Sequence, residues 1–289
     1  MAVGTYALTS LANLKAWIGE TTSDHDTVLE SAIDRATAIV EGYCDRKLKS
    51  RTFREFVQPN GERTVRLENF PVSSIMTVAY GSAISFSVES DTSSTDVLAT
   101  VENNGDQIKL RKIASDGTDS TATLAFSSYN TTSALVTQIN SSVSGWSATL
   151  TKNAYSFSLY RFGGRGVIDA PCNFEYPRDN VSEYRVDFEM GLVHIIADRF
   201  PGIRSDDASA NRFPSGFQPV FVEYTAGYST VPDDLEQVTI EIAADIYNDR
   251  TNDRTNSGES LGDYTYTRAG TAELLASYVD KLAAYREIR

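Results

Sequence analysis

Apolar positions recur at helical spacing near both ends of the chain and mostly alternate in between. Leu11, Leu14 and Ile18 predict a first helix, with Ser10 placed to cap its start and Gly19 to stop it. Leu29, Ile33, Ala36, Val40 and Tyr43 form the stripe of a second, longer helix, widened by Val28 and Ile39. Glu30, Asp34, Arg35 and Glu41 are expected on its solvated faces. Ser23 followed by Asp26 reads as an acidic variant of a capping box.

From Arg51 the period shortens. Residues 53–57 and 64–67 flank Pro59-Asn60-Gly61, which predicts a hairpin; Phe70-Pro71-Val72 breaks the pattern and residues 74–80 resume it. Residues 81–160 are rich in Ser and Thr. Asn103-Asn104-Gly105 predicts a second hairpin between 97–101 and 108–113, and Ala122, Leu124 and Phe126 alternate with polar neighbours. Thr132 is placed to cap a short helix carrying Leu135, Ile139 and Val143. Trp146, Ala148 and Leu150 then alternate, as do Tyr155, Phe157 and Leu159. Gly163-Gly164-Arg165-Gly166 reads as a flexible junction and 171–177 as a loop. Val186, Phe188 and Met190 predict a strand ended by Gly191, which 192–196 resumes. After an irregular loop over 199–216, residues 220–224 predict a strand and Ala226-Gly227-Tyr228 its turn. Pro232, Asp233 and Asp234 open a helix whose buried face is Leu235, Val238, Ile242 and Ile246. Residues 250–262 are expected to form a mobile loop before a last helix over 271–289. The strand, helix, strand, strand order between 82 and 185 reads as a small inserted α/β domain.

Of the 289 residues, 41% are hydrophobic and 22% charged, enough to bury a core without disulfide staples. No apolar run reaches the length of a transmembrane helix, and the first ten residues lack a basic-then-apolar leader. The expected place of action is where the chain is made, or outside the cell after lysis. The net charge of −13 argues against gripping nucleic acid by its phosphates, though not against letting DNA slide past. Cys44 and Cys172 read as free thiols in a reducing compartment.

Candidate chemistry is sparse. His25 lies in a helix-start segment beside Asp24 and Asp26, where polarity complements the helix dipole. His194 sits in an apolar run and reads as a satisfied core or interface histidine. The Gly163–Gly166 run lacks the Lys-Ser/Thr ending of a P-loop, and no Gly-x-Ser-x-Gly elbow exists. Aspartates in 91–96 and 116–119 read as turn residues, not a calcium loop. No catalytic residue, cofactor or metal is assigned, and the expectation is that the protein is not an enzyme.

Ordered motifs at both ends resemble the head-tail connector family of tailed bacteriophages. At the N-terminal end they are Leu8-Thr9-Ser10-Leu11, Lys15-Ala16-Trp17-Ile18-Gly19, Leu29-Glu30-Ser31-Ala32-Ile33, Ile39-Val40-Glu41-Gly42-Tyr43-Cys44, Arg51-Thr52-Phe53 and Phe70-Pro71-Val72-Ser73-Ser74-Ile75. At the C-terminal end they are Val222-Glu223-Tyr224-Thr225-Ala226-Gly227-Tyr228, Val231-Pro232-Asp233-Asp234-Leu235 and 259–266. Residues 82–185 depart from the compact family pattern, so the resemblance implies an α+β fold: a helical core with β-hairpins, formed by 1–81 and 186–289, interrupted by the inserted α/β domain over 82–185. The resemblance implies a structural virion protein of the neck, assembled in the host cytoplasm as a homo-oligomeric ring, typically dodecameric. Such a ring binds the portal protein on one side and a tail or head-completion (stopper or nozzle) protein on the other. It also lines the exit channel for double-stranded DNA, without sequence-specific binding and without a membrane. The portal contact is expected at the C-terminal segment, through Leu261, Leu274, Leu275, Tyr278, Val279, Leu282 and Tyr285; the alternative is that this helix folds back on its own core. A rival reading, motivated by Trp146 and the tyrosines of the Ser/Thr-rich segment, is a carbohydrate-binding or degrading tail protein.

Overall fold

The computed structural model describes residues 2–59, 64–91, 95–168, 170–181, 183–195, 220–250, 258–261, 264–267 and 278–286; for 195, 258–261 and 264–267 only the backbone is described. The described helices are α1 (Leu11–Ile18), α2 (Asp26–Cys44), α3 (Thr132–Ser142), α4 (Asp233–Asp249) and the single turn α5 (Val279–Leu282). The strands are β1 (Arg51–Val57), β2 (Thr64–Arg66), β3 (Val72–Tyr80), β4 (Ala83–Ser90), β5 (Asp96–Asn103), β6 (Gln107–Ala114), β7 (Asp119–Ala125) and β8 (Trp146–Leu150). They continue with β9 (Phe162–Gly166), β10 (Cys172–Tyr176), β11 (Asp179–Asn180), β12 (Tyr184–Asp187), β13 (Leu192–Ile195), β14 (Val220–Ala226), β15 (Gly258–Leu261) and β16 (Tyr264–Thr267). Helices and antiparallel sheets segregate, so the class is α+β.

Helix α1 has its expected ends: Ser10 Oγ accepts from the Asn13 N–H at 3.2 Å, and Gly19 closes the helix at φ 74°. Helix α2 starts later than Ser23. That residue offers its carbonyl to the Asp26 N–H, and the Asp26 carboxylate, instead of reaching back as a cap, pairs with Lys15 at 2.6 Å. The apolar stripes of α2 and α4 face each other, with Leu29, Ile33, Val40, Leu235, Val238 and Ile242 in one cluster. Val28 is left outside it and exposed.

Five sheets are seen among the described residues, with strand orders β1-β14-β3-β11, β12-β13-β2, β10-β4-β8, β7-β6-β5-β9 and the pair β15-β16. The hairpin expected through Pro59-Asn60-Gly61 is overturned on both sides. β1 pairs with β14 along its whole length and β2 pairs with β13; the turn itself falls outside the described residues. Long-range pairing with a buried partner overrides the local turn signal. The second hairpin holds, with Asn103 opposite Ile108 and Gly105 at φ 100°. Gly163–Gly166 is no loose junction but most of β9, an edge strand on β5, and 172–176 is strand β10. Tyr155, Phe157 and Leu159 do not sit on a strand. Their segment makes a 3-10 turn over Ser156–Ser158, because Ser156 bonds back to Asn130 and Tyr129. Helix α3 is capped by Thr131, one residue before the expected Thr132, which is buried against Ser85. The expected strand through Phe188 and Met190 stops at Asp187, whose carboxylate accepts from the Glu189 and Met190 N–H groups and turns the chain.

The buried side chains form three clusters. Among the described residues, one lies between α1, α2, α4 and α5; one draws on two sheets, that of β1, β14 and β3 and that of β2 and β13; the third, built around Phe86, Phe126, Leu135 and Phe174, draws only on residues 86–176.

Candidate functional site

Among the described residues, polar groups gather where α2 ends. Asp45 takes a left-handed conformation (φ 53°), which reverses the chain so that 46–51 run back beside the helix. Glu41, expected in solvent, is instead buried there. Its carboxylate accepts from Arg51 Nη2 at 2.6 Å, Lys47 Nζ at 2.8 Å and the Leu48 N–H at 3.1 Å. Arg46, also buried, stacks 3.9 Å over the Phe70 ring and donates to the Phe70 carbonyl at 2.6 Å and the Tyr285 carbonyl at 2.7 Å. One guanidinium thus joins the end of α2, the loop before β3 and the C-terminal turn. A cleft of about 560 Å³ opens beside it, lined among others by Gly4, Tyr6, Asp34, Glu41, Asp45 and Asn69.

The predicted contact residues split. Tyr278, Val279, Leu282 and Tyr285 come together at the C-terminal turn; Leu261 is described only as backbone in β15, and Leu274 and Leu275 lie outside the described residues. Leu282 is 1% exposed within the α2–α4 cluster, and Tyr278 and Tyr285 pack at its edge. Helix α4 supplies the polar side of this seat. It carries Asp233, Asp234, Glu236, Glu241, Asp245 and Asp249 and no Lys or Arg. Tyr285 donates to Asp234 at 2.6 Å, Tyr278 to Asp245 at 3.2 Å, and Lys281 pairs with Glu241 at 3.4 Å. Burial first, then the Asp234 carboxylate, pushes the Tyr285 phenol well above the usual tyrosine range. On its other flank, Glu236 accepts from Thr9 and Asn13, holding the N-terminal segment. The acids of α4 therefore hold both ends of the chain.

The candidates for chemistry stay apart. His25 precedes α2, its ring 6.0 Å from that of Tyr247, and His194 Nδ1 lies 2.7 Å from Thr64 Oγ1. Cys44 and Cys172 are unpaired and buried, and no group of three metal-ligating side chains occurs among the described residues. No described helix is long and apolar enough to cross a membrane. Trp146, the aromatic that prompted the saccharide reading, is 4% exposed in the 86–176 cluster. What the site offers is a set of surfaces that hold polypeptide segments. Sequence reasoning missed Glu41 and Arg46. The available signal was that Glu41 continues the helical spacing of Ile33 and Thr37 on the buried side of α2, with Arg51 10 residues on.

Residues 8–115 match the phage gp6-like head-tail connector protein family, a stretch that begins before α1 and runs past Gly81 to the end of β6. No curated protein matches the chain. Among solved structures, a chain in the neck of an empty gene transfer agent particle, computed with C6 symmetry, is 14% identical with a TM-score of 0.43, covering 100% of this chain and 95% of that one. A chain from the virion of a native gene transfer agent particle is likewise 14% identical, with a TM-score of 0.42, covering 100% and 94%.

Proposed function

We propose that this chain, of which residues 8–115 match the phage gp6-like head-tail connector family, is a structural subunit of a virion neck. That match carries the reading. In it, copies of the chain form a ring, a dodecamer by resemblance, seated between the portal protein and a tail or head-completion protein. The chain supplies surfaces and no catalysis. The net charge of −13 favours passage of double-stranded DNA through the ring without retention, since phosphates find few cations to hold them.

Within that subunit, 1–81 and 186–289 make the connector core and 82–185 an inserted domain on the outside of the ring. The self-contained 86–176 cluster supports this division. The C-terminal segment is assigned the portal contact, with Leu261, Leu274, Leu275, Tyr278, Val279 and Tyr285 as its residues and Leu282, buried in the helical cluster, as its anchor. The seating of Leu282 in the helical cluster gives that segment a fixed base from which to present a surface.

Negative-stain images of purified neck complexes test the reading. Radial rings containing this chain are expected, and a strictly monomeric protein inside the assembled virion overturns it.

A further inference from the structure

The stretch from Tyr155 to Arg161 belongs to the strand-rich unit but faces the core sheet. Its backbone is tied inward: Ser156 Oγ donates to the Tyr129 carbonyl, the Tyr160 N–H to the Glu175 carbonyl, and buried Asn103 to the Tyr160 carbonyl. Leu159 is buried in the unit's own cluster, while Tyr155, Phe157 and Tyr160 meet β1 and β14. Arg54 of β1 lies 4.3 Å over the Phe157 ring and 5.5 Å over that of Tyr155. Directly opposite Arg54 in the ladder, Glu223 takes its Nε–H at 2.8 Å and the Tyr155 hydroxyl at 3.4 Å. Phe56, two residues along on the same face, meets the Tyr160 ring at 5.3 Å, and the Tyr160 hydroxyl donates to the Gly81 carbonyl.

The covalent links to the unit lie elsewhere in the sheet. β3 delivers the chain into it at Gly81, and β11 brings it back beside β3, with Asp179 opposite Tyr80. Two adjacent links define a hinge line, about which a unit joined by them alone is free to swing. The contacts on β1 fall two strands away in the order β1-β14-β3-β11, about 10 Å from that line. A third attachment off the hinge line removes the swing.

We propose that Arg54 and Phe56 of β1, with Glu223 of β14, form a clasp that grips Tyr155, Phe157 and Tyr160 and locks the orientation of the strand-rich unit relative to the core. The unit is then a rigid arm, and whatever it touches is held at a set position around the particle axis. Arg54 is the positioning residue. Its planar cation stacks on aromatic faces while its Nε–H engages Glu223, a combination Lys does not reproduce. The clasp rests on reading 82–185 as a unit of its own.

Spin labels at Ser141→Cys in α3 and Arg35→Cys in α2, both exposed positions, report the distance between unit and core. The native cysteines are buried. Labelled full-length chain, diluted with unlabelled chain, is expected to give one narrow distribution. Arg54→Ala with Phe56→Ala is expected to give one roughly twice as wide, with near-ultraviolet dichroism retained, and Arg54→Lys an intermediate width. A folded double variant with unchanged width overturns the clasp. Should the double variant lose its fold, Phe157→Ala removes the grip from the other side, and an unchanged width there overturns it equally. Deleting 82–185 with a short linker is a separate measurement. Collapse of the remaining core would count against the unit reading, while the label distances report on the clasp.

Discussion

At the scale of the residue, Glu41 departs from its solvent-facing expectation and lies, like Cys44, on the buried side of α2. Glu41 compensates its desolvation with Arg51 and the Leu48 N–H; half-exposed Lys47 adds little. Glu41→Gln leaves Arg51 without its counter-ion in a largely buried place, and a loss of about 2–3 kcal/mol in urea unfolding is expected. An unchanged midpoint would show that water replaces the carboxylate. Burial pushes the Cys44 thiol up to about 11. Thiolate is the reactive form, so at pH 8 the folded protein holds Cys44 protonated as well as covered. Alkylation followed by mass spectrometry should mark Cys44 only after denaturant is added; rapid labelling of the native protein would contradict its burial.

At the scale of the element, the turn between β14 and α4 and the C-terminal turn α5 decide how the helical layer sits. Gly227 (φ 97°) has no room for a side chain, since a Cβ there would meet the Leu48 carbonyl oxygen at 2.7 Å. The turn is stitched by Gly227 N–H to Pro71 O and Tyr228 N–H to Leu48 O. Gly227→Ala is expected to lower the melting midpoint by several degrees, through both the clash and the disfavoured conformation. For α5, Leu282→Ala empties a fully buried site and should cost about 2–4 kcal/mol. Truncation after Gly258 tests whether the segment serves as contact or as core. Loss of binding to purified portal rings with a retained fold by circular dichroism supports the portal assignment. Retained binding, or an unfolded product, places the segment in the core instead.

At the scale of the whole molecule, the 86–176 cluster is one of three buried clusters seen among the described residues. The 86–176 cluster shares no residue with the other two, and its chain enters and leaves at adjacent strands, which makes an insertion topologically cheap. Deletion of 82–185, with a short Gly/Ser linker between Gly81 and Val186, should therefore leave ring assembly intact in electron micrographs. A deletion product that fails to accumulate as soluble protein would show that the sheet needs the unit as a wall.

The first two helices, α4 and the second hairpin were legible because their signals are local; of the helix expected over 271–289, the described residues show only the turn α5 and a 3-10 turn over Ala283–Tyr285. Ser10 and Gly19 bracket α1, the stripes of α2 and α4 mark their buried faces, and Asn103-Asn104-Gly105 makes its hairpin with neighbours in sequence. The absence of an anchored nucleophile or P-loop motif likewise followed from residue type and spacing alone. Strand partners did not follow, because a ladder is chosen by which faces can be buried together, not by the nearest turn. β1 therefore crosses the chain to β14, and β2 to β13. The same holds for Glu41, Arg46 and Arg54. A charged side chain reads as solvated until tertiary contacts bring its partners, here Arg51, the Tyr285 carbonyl and the Phe157 ring, from elsewhere in the chain.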